Sequence, residues 1–97
     1  MFQKIYSIVS KIPKGKVLTY KKVSSLVGIK NPRIVGFALH ANKNSIDVPC
    51  HRVVHANGEL AKGYAFGGAK AQRAKLKEEG VGFIENKVNL SRFLFNG

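Results

Sequence analysis

The sequence predicts a mainly α domain with a small β element, an α+β fold of winged-helix-like, helix-turn-helix type. Three observations carry that expectation. The chain has 97 residues, enough for one modest hydrophobic core and too few for two, so residues 1–97 are expected to form a single domain. Two short apolar-faced segments stand back to back across the tight link Gly28-Ile29-Lys30-Asn31, the spacing of a helix-turn-helix. Further on, Pro49 and the pair Val53-Val54 mark an extended piece.

The first helix is expected over FQKIYSIVSKI, where Phe2, Ile5, Ile8, Val9 and Ile12 share one face and Lys4 and Lys11 lie outside it. PKGK ends it. Thr19 offers a hydroxyl N-cap to a short second helix, with Val23, Leu26 and Val27 inward and Gly28 as its stop. Asn31 can cap a third helix, and Pro32 suits its first position, where the missing amide would go unpaired anyway. That helix, PRIVGFALHANK, is expected to run to about Asn42 with Val35, Ala38 and Leu39 facing the core. Arg33, Gly36, Phe37 and His40 are left outward or at its edge. A mid-helix glycine costs about 1 kcal/mol against Ala, so Gly36 points to close approach of another surface, either DNA or a neighbouring helix. After the extended VPCHRVVH come an Asn57-Gly58 turn, the glycine-bearing loop KGYAFGG, and a helix AKAQRAKLKEE that Gly80 stops. The tail offers Phe83, Ile84, Val88, Leu90, Phe93 and Phe95 to close the core.

Hydrophobic residues make up 44% of the chain, as in an ordinary folded protein, and no apolar run reaches the length of about 18 residues that spans a membrane. The first residues alternate Lys with apolar side chains, so no signal peptide is read and the expected location is cytoplasmic, or nuclear in a eukaryote. A single cysteine makes no internal disulfide, which suits a reducing compartment, and three scattered histidines add no metal-ligand set. Seventeen Lys and Arg against five Asp and Glu leave a net charge of +12. Such a field draws polyanions through counterion release from phosphates, which puts nucleic acid ahead of an anionic lipid surface or a merely solvated basic face.

The one cysteine, Cys50, lies in NSIDVPCHRVVHANG. By type, a lone cysteine is most often a small buried hydrophobe. Here His51 and Arg52 are positive neighbours that favour the thiolate. Nucleophilic use requires a base in reach and a group to orient that base. Successive residues of an extended strand point to opposite faces, so His51 reaches the Cys50 sulfur only through a bend after Pro49 or a bridging water. From the residues alone, core cysteine and nucleophile both stand.

PCHRVV, residues 49–54, resembles the active-site signature of the O6-alkylguanine-DNA alkyltransferases, also called methylated-DNA–protein-cysteine methyltransferases. GKVLTYKKVSSLVG is similar to that family's Gly-x-Val-x-x-Tyr lead into its helix-turn-helix, and NPRIVGFALHAN to its recognition helix. GYAFGG resembles its base-covering loop and LKEEGV its late Glu-bearing helix. The resemblance covers roughly residues 2–82, the catalytic and DNA-binding half, without the family's variable N-terminal domain.

This resemblance implies single-turnover transfer of an alkyl group from the O6 of guanine to Cys50, with no cofactor. His51, acting through a water, accepts the thiol proton, and Glu79 orients and charges His51. Tyr20 donates to a ring nitrogen of the flipped guanine, and Asn42 ties the recognition helix to the active-site loop. The carbonyls of Cys50 and Val53 accept the exocyclic amine, while Tyr64 and Phe66 line the base pocket. Phe66 replaces a polar residue found in some relatives, which bears on the preference among alkyl groups. Arg33 enters the stack that the base has left, and Gly36 and His40 line a recognition helix set in the minor groove. The implied partner is double-stranded DNA containing O6-alkylguanine, bound by a monomer.

Other roles are plainer. Arg52 is expected in a structural ion pair, with Asp47 its candidate partner, and His40 and His55 on the surface, although relatives often carry a second basic side chain at position 40. Two further functions compete. Alkyltransferase-like proteins flip the lesion without repairing it, and they carry Trp where this chain has Cys50. A helix-turn-helix regulator of undamaged operator DNA needs polar base-reading side chains, and RIVGFALHA has few.

Overall fold

Helix α1, Phe2–Ser10, buries the face its spacing sets out: Ile5 and Val9 are buried, as is Ile12 just past its end, with Phe2 and Ile8 half-buried beside them. The structure, a computed structural model, describes residues 2–43, 47–61 and 67–95. Strand β1, Leu18–Thr19, hands directly into α2, Tyr20–Val27. Thr19 serves both elements, since its extended backbone continues the strand while its hydroxyl accepts the Lys22 N–H at 3.0 Å. Gly28 closes α2 in the left-handed region, φ 87°, with its N–H turned back on the Ser24 and Ser25 carbonyls.

The second helix of the pair, α3, spans Arg33–His40. Asn31 caps it as expected, its side-chain oxygen accepting the Arg33 N–H at 3.0 Å, and Pro32 already has helical φ and ψ. It ends at His40 rather than Asn42, because Asn42 turns away to donate from Nδ2 to the Val48 carbonyl at 2.9 Å. Val35, Ala38 and Leu39 face inward against α1 and α2, and Tyr6 Oη donates to the Ala38 carbonyl at 2.7 Å, pinning α1 to α3. Leu26, expected inward, is 52% exposed. The inner face of α2 runs through Val23, Ser24 and Val27, where Ser24 is accommodated by donating its hydroxyl to the Lys21 carbonyl.

The extended piece expected over VPCHRVVH is mostly a turn. Cys50–Arg52 form one turn of 3-10 helix, the Arg52 N–H reaching the Pro49 carbonyl at 2.9 Å and the Val53 N–H reaching that of Cys50. Only β2, Val53–Val54, is strand, and it pairs in parallel with β1, Leu18 opposite Val53 and Thr19 opposite Val54. This pairing brings the cysteine turn beside the start of α2. At the Asn57-Gly58 turn Gly58 has φ 90°, and a Cβ there would stand 2.6 Å from the Val88 carbonyl oxygen, so glycine is required twice over.

Helix α4, Gly68–Glu78, stops before Gly80 as expected, and the tail forms a wing. Strands β3, Phe83–Ile84, and β4, Lys87–Val88, pair antiparallel, and α5, Leu90–Phe93, returns the chain to β1. There the Phe95 N–H meets the Val17 carbonyl at 2.8 Å. Val88 joins Val17, Val54, Leu76 and Val81 in a second buried cluster, which Phe83, Leu90 and Phe93 cover, while Phe95 packs on the first. Ile84 departs from expectation at 59% exposed, because strand residues alternate sides and its neighbour Phe83 takes the inward one. Among the described residues no helix is long and apolar enough to cross a membrane.

Candidate active site

The 3-10 turn changes what His51 can do. Cys50 and His51 are both buried, and the turn releases them from the opposite-face alternation of a strand. His51 directs Nε2 to Glu79 Oε2 at 2.9 Å, Glu79 lying at the C-terminal end of α4. Arg52 reaches the same carboxylate, Nε to Oε1 at 2.9 Å and NH2 to Oε2 at 2.7 Å, and donates from NH1 to the Ile12 carbonyl at 2.8 Å. The ion pair of Arg52 is therefore made with Glu79 and not with Asp47. The planar guanidinium fork matches a carboxylate bidentately, and the turn aims it at the end of α4.

These contacts set the protonation states. Burial alone would raise the Glu79 carboxyl, but hydrogen bonds from Arg52 and His51 outweigh it and hold the group down from 4.5 to about 2. An ionised carboxylate only accepts, so His51 Nε2 carries the proton and Nδ1 keeps the lone pair. That Nδ1 is buried and has no hydrogen-bond partner among the described residues. Burial depresses the basicity of His51 despite the upward pull of Glu79, so the ring is neutral at pH 7. Burial also pushes the Cys50 thiol up, against the downward pulls of a hydrogen bond from Asn42 and the charge of Lys75. The thiolate expected from positive neighbours is thus overturned: His51 is neutral and the Arg52 charge is turned onto Glu79. At rest the nucleophile candidate is a thiol, and the next residue in the chain holds a ring nitrogen with a free lone pair.

Tyr20 opens α2, and burial, with a further contribution from nearby Cys50, raises its hydroxyl to about 12. It remains a proton donor at any physiological pH. Its ring lies 5.2 Å from that of exposed His55, tilted by 50°. The carbonyls of Cys50 and Val53 each hold one bond already, from the Val53 N–H and from Gln72 Nε2 at 2.9 Å, and each retains a second lone pair. Gln72 is the residue the sequence reading missed. Fully buried on α4, it also donates to the His51 carbonyl at 3.0 Å and accepts the Ala61 N–H at 2.8 Å. Its signal was available, since Gln72 and buried Leu76 stand four apart on one helical face.

Tyr20, Arg33, Gly36, Phe37, His40 and His55 line a groove of about 680 Å³ along α3. Beyond its own stretch of helix, no described atom lies within 4 Å of where a Gly36 Cβ would stand, so the neighbouring-helix explanation of that glycine falls away and its backbone faces open space. Tyr64 and Phe66, assigned to the base pocket by resemblance, lie outside the described residues, as does Lys62.

Fold and groove define a helix-turn-helix DNA-binding domain that also carries a buried cysteine and histidine with a half-buried glutamate bonded to the histidine. Residues 1–81 match the model of the 6-O-methylguanine DNA methyltransferase DNA-binding domain, and the chain belongs to that family of O6-alkylguanine repair and recognition proteins. It is 46% identical over 77 residues to the methylated-DNA–protein-cysteine methyltransferase of Saccharolobus islandicus, covering 79% of this chain and 48% of that protein. The chain thus spans about half the length of the curated relatives it matches. In three dimensions it is similar to S. pombe Atl1 in complex with damaged DNA containing O6-carboxymethylguanine, with TM-score 0.87, 32% identity and coverage of 99% of this chain and 94% of that one. Mycobacterium tuberculosis OGT in complex with DNA matches with TM-score 0.75 and 35% identity over 81% of this chain and 48% of that one.

Proposed function

We propose that residues 1–97 act as one catalytic and DNA-binding unit that repairs O6-alkylguanine by moving the alkyl group irreversibly to Cys50. The observation that carries this reading is the His51–Glu79 bond beside Cys50, which leaves His51 Nδ1 as a buried, unpartnered base. In the reaction the Cys50 proton passes through a water to Nδ1, and Glu79 stabilises the imidazolium that forms. The sulfur lone pair forms the S–C bond as the C–O6 bond breaks, and that bond's electron pair stays on guanine. Tyr20 gives its proton to a ring nitrogen, and the imidazolium restores it through solvent. A high-pKa thiol in the resting state fits this sequence, because deprotonation is needed only when substrate is present.

The target base is flipped from a duplex into the site, with α3 in the minor groove, Arg33 filling the gap and His40 and Gly36 at the DNA backbone. Asn42 holds the recognition helix to the turn, Val53 and Cys50 present carbonyls to the exocyclic amine, and Tyr64 and Phe66 complete the pocket. The unit binds as a monomer inside the cell and uses no cofactor.

A second reading, lesion binding without repair, is favoured by the match to Atl1 over nearly the whole chain. Against it stands Cys50, where such relatives carry Trp. Titrating a fixed amount of O6-methylguanine duplex with protein separates the two. Repair predicts loss of one lesion per chain and no more, and Cys50→Ala should bind the duplex yet remove none. Binding by the wild type with every lesion retained would leave only the second reading.

A further inference from the structure

Phe37 is 66% exposed, the most solvent-facing of the large apolar side chains among the described residues, and it lies in the groove. Single exposed apolar residues are common on proteins, and Leu26 and Ile84 are two here, but neither lines the groove. Phe37 stands one helical turn beyond Arg33 on α3, so the two side chains project from the same face about 6 Å apart along the axis. Beside it Gly36 has no side chain and open space, which lets the helix backbone come close to whatever Phe37 enters. The occupant is fixed by charge: a chain of net charge +12 presents an apolar ring between Arg33 and His40, a surface suited to a stacked polyanion.

We propose that Phe37 is an apolar wedge that inserts from the minor groove between base pairs next to the flipped nucleotide, opening a step that Arg33 alone does not reach. It deepens the minor-groove, flipped-base docking of α3 proposed above, which repair and lesion binding share, and rests on it. Minor-groove proteins unstack a base step with such side chains, and the cost of unstacking is offset by the ring's removal from water and by closer phosphate contacts. Because stacked bases repeat about every 3.4 Å, Arg33 and Phe37 address different steps. The division of labour is then one residue for the vacated position and one for the adjoining stack.

The chain has no tryptophan, so Phe37→Trp introduces a single reporter. With an O6-methylguanine duplex, its emission should be quenched and its access to acrylamide should fall several-fold. Ile84→Trp, exposed on the wing, should stay accessible. Phe37→Ala should weaken binding of the lesion duplex by about tenfold and binding of the same lesion in single-stranded DNA by less than twofold, since a single strand has no paired step to open. A Phe37→Trp reporter that stays fully accessible on saturating duplex, or equal losses on single and double strands, overturns the wedge. Methyl transfer to Cys50, followed separately, does not enter these readouts: a shielded reporter on a protein that never becomes methylated supports the wedge and overturns the transfer.

Discussion

Arg52 grips both oxygens of the Glu79 carboxylate, Nε to Oε1 at 2.9 Å and NH2 to Oε2 at 2.7 Å. The pair fixes Glu79 as an ionised acceptor and thereby fixes the tautomer of His51, while the Arg52 charge lowers the basicity of that ring. Arg52→Met should cost about 1–3 kcal/mol in urea unfolding, since the partly buried Glu79 carboxylate loses both of its charged hydrogen bonds from Arg52. It should also move the acid limb of the pH profile of methyl transfer to higher pH, because the imidazole becomes easier to protonate. An unchanged profile would mean that Arg52 serves the fold alone.

Acid should destabilise the protein in two stages. The folded-state pKa of His51 is depressed below 6.5, so the unfolded chain binds that proton first and stability declines as pH falls through that range. Glu79 is depressed from 4.5 to about 2, so its contribution is complete above 4.5 and is lost as pH falls towards 2. Thermal melts across pH 7 to 2 should show both declines. Glu79→Gln should start less stable at pH 7 and lose less between 4.5 and 2, whereas parallel curves would contradict the assignment.

Gln72 holds the carbonyls of His51 and Val53 and the N–H of Ala61 from a fully buried position. Gln72→Met keeps the volume and removes three hydrogen bonds, and should destabilise the fold by about 2–5 kcal/mol at the usual cost of unpaired buried groups. Methyl transfer, measured well below the melting temperature, should slow as the turn loses its anchor. A loss below about 0.5 kcal/mol would mean that the three groups find other partners.

The helix-turn-helix was legible because its signals are local: Thr19 and Asn31 are caps, Gly28 is a stop, and Val35, Ala38 and Leu39 recur at helical spacing. The turn at Cys50 was not, because local propensity reads Val-Pro and Val-Val as extended, while the register between Thr19 and Val54 is a long-range matter. The same blindness assigned Arg52 to Asp47, five residues away, when Glu79 comes from another helix. Ile84 and Leu26 failed for a simpler reason, since apolar character says nothing about which side of a two-residue strand or a two-turn helix is covered.

In the proposed docking, a variant of Arg33 separates base flipping from chemistry. Extruding a base costs a few kcal/mol, part of which a gap-filling side chain offsets. Arg33→Ala should slow repair of duplex DNA by about tenfold, roughly 1.4 kcal/mol, and leave the slow reaction with free O6-methylguanine base unchanged. Equal losses on both substrates would place Arg33 in support of the fold.

Intact-mass measurement of the wild-type chain after incubation with an O6-methylguanine duplex tests the central claim most directly. Transfer predicts a protein heavier by one methyl group and no more, with the added mass on the peptide that contains Cys50. A protein of unchanged mass that nonetheless holds the lesion duplex would contradict the proposed repair.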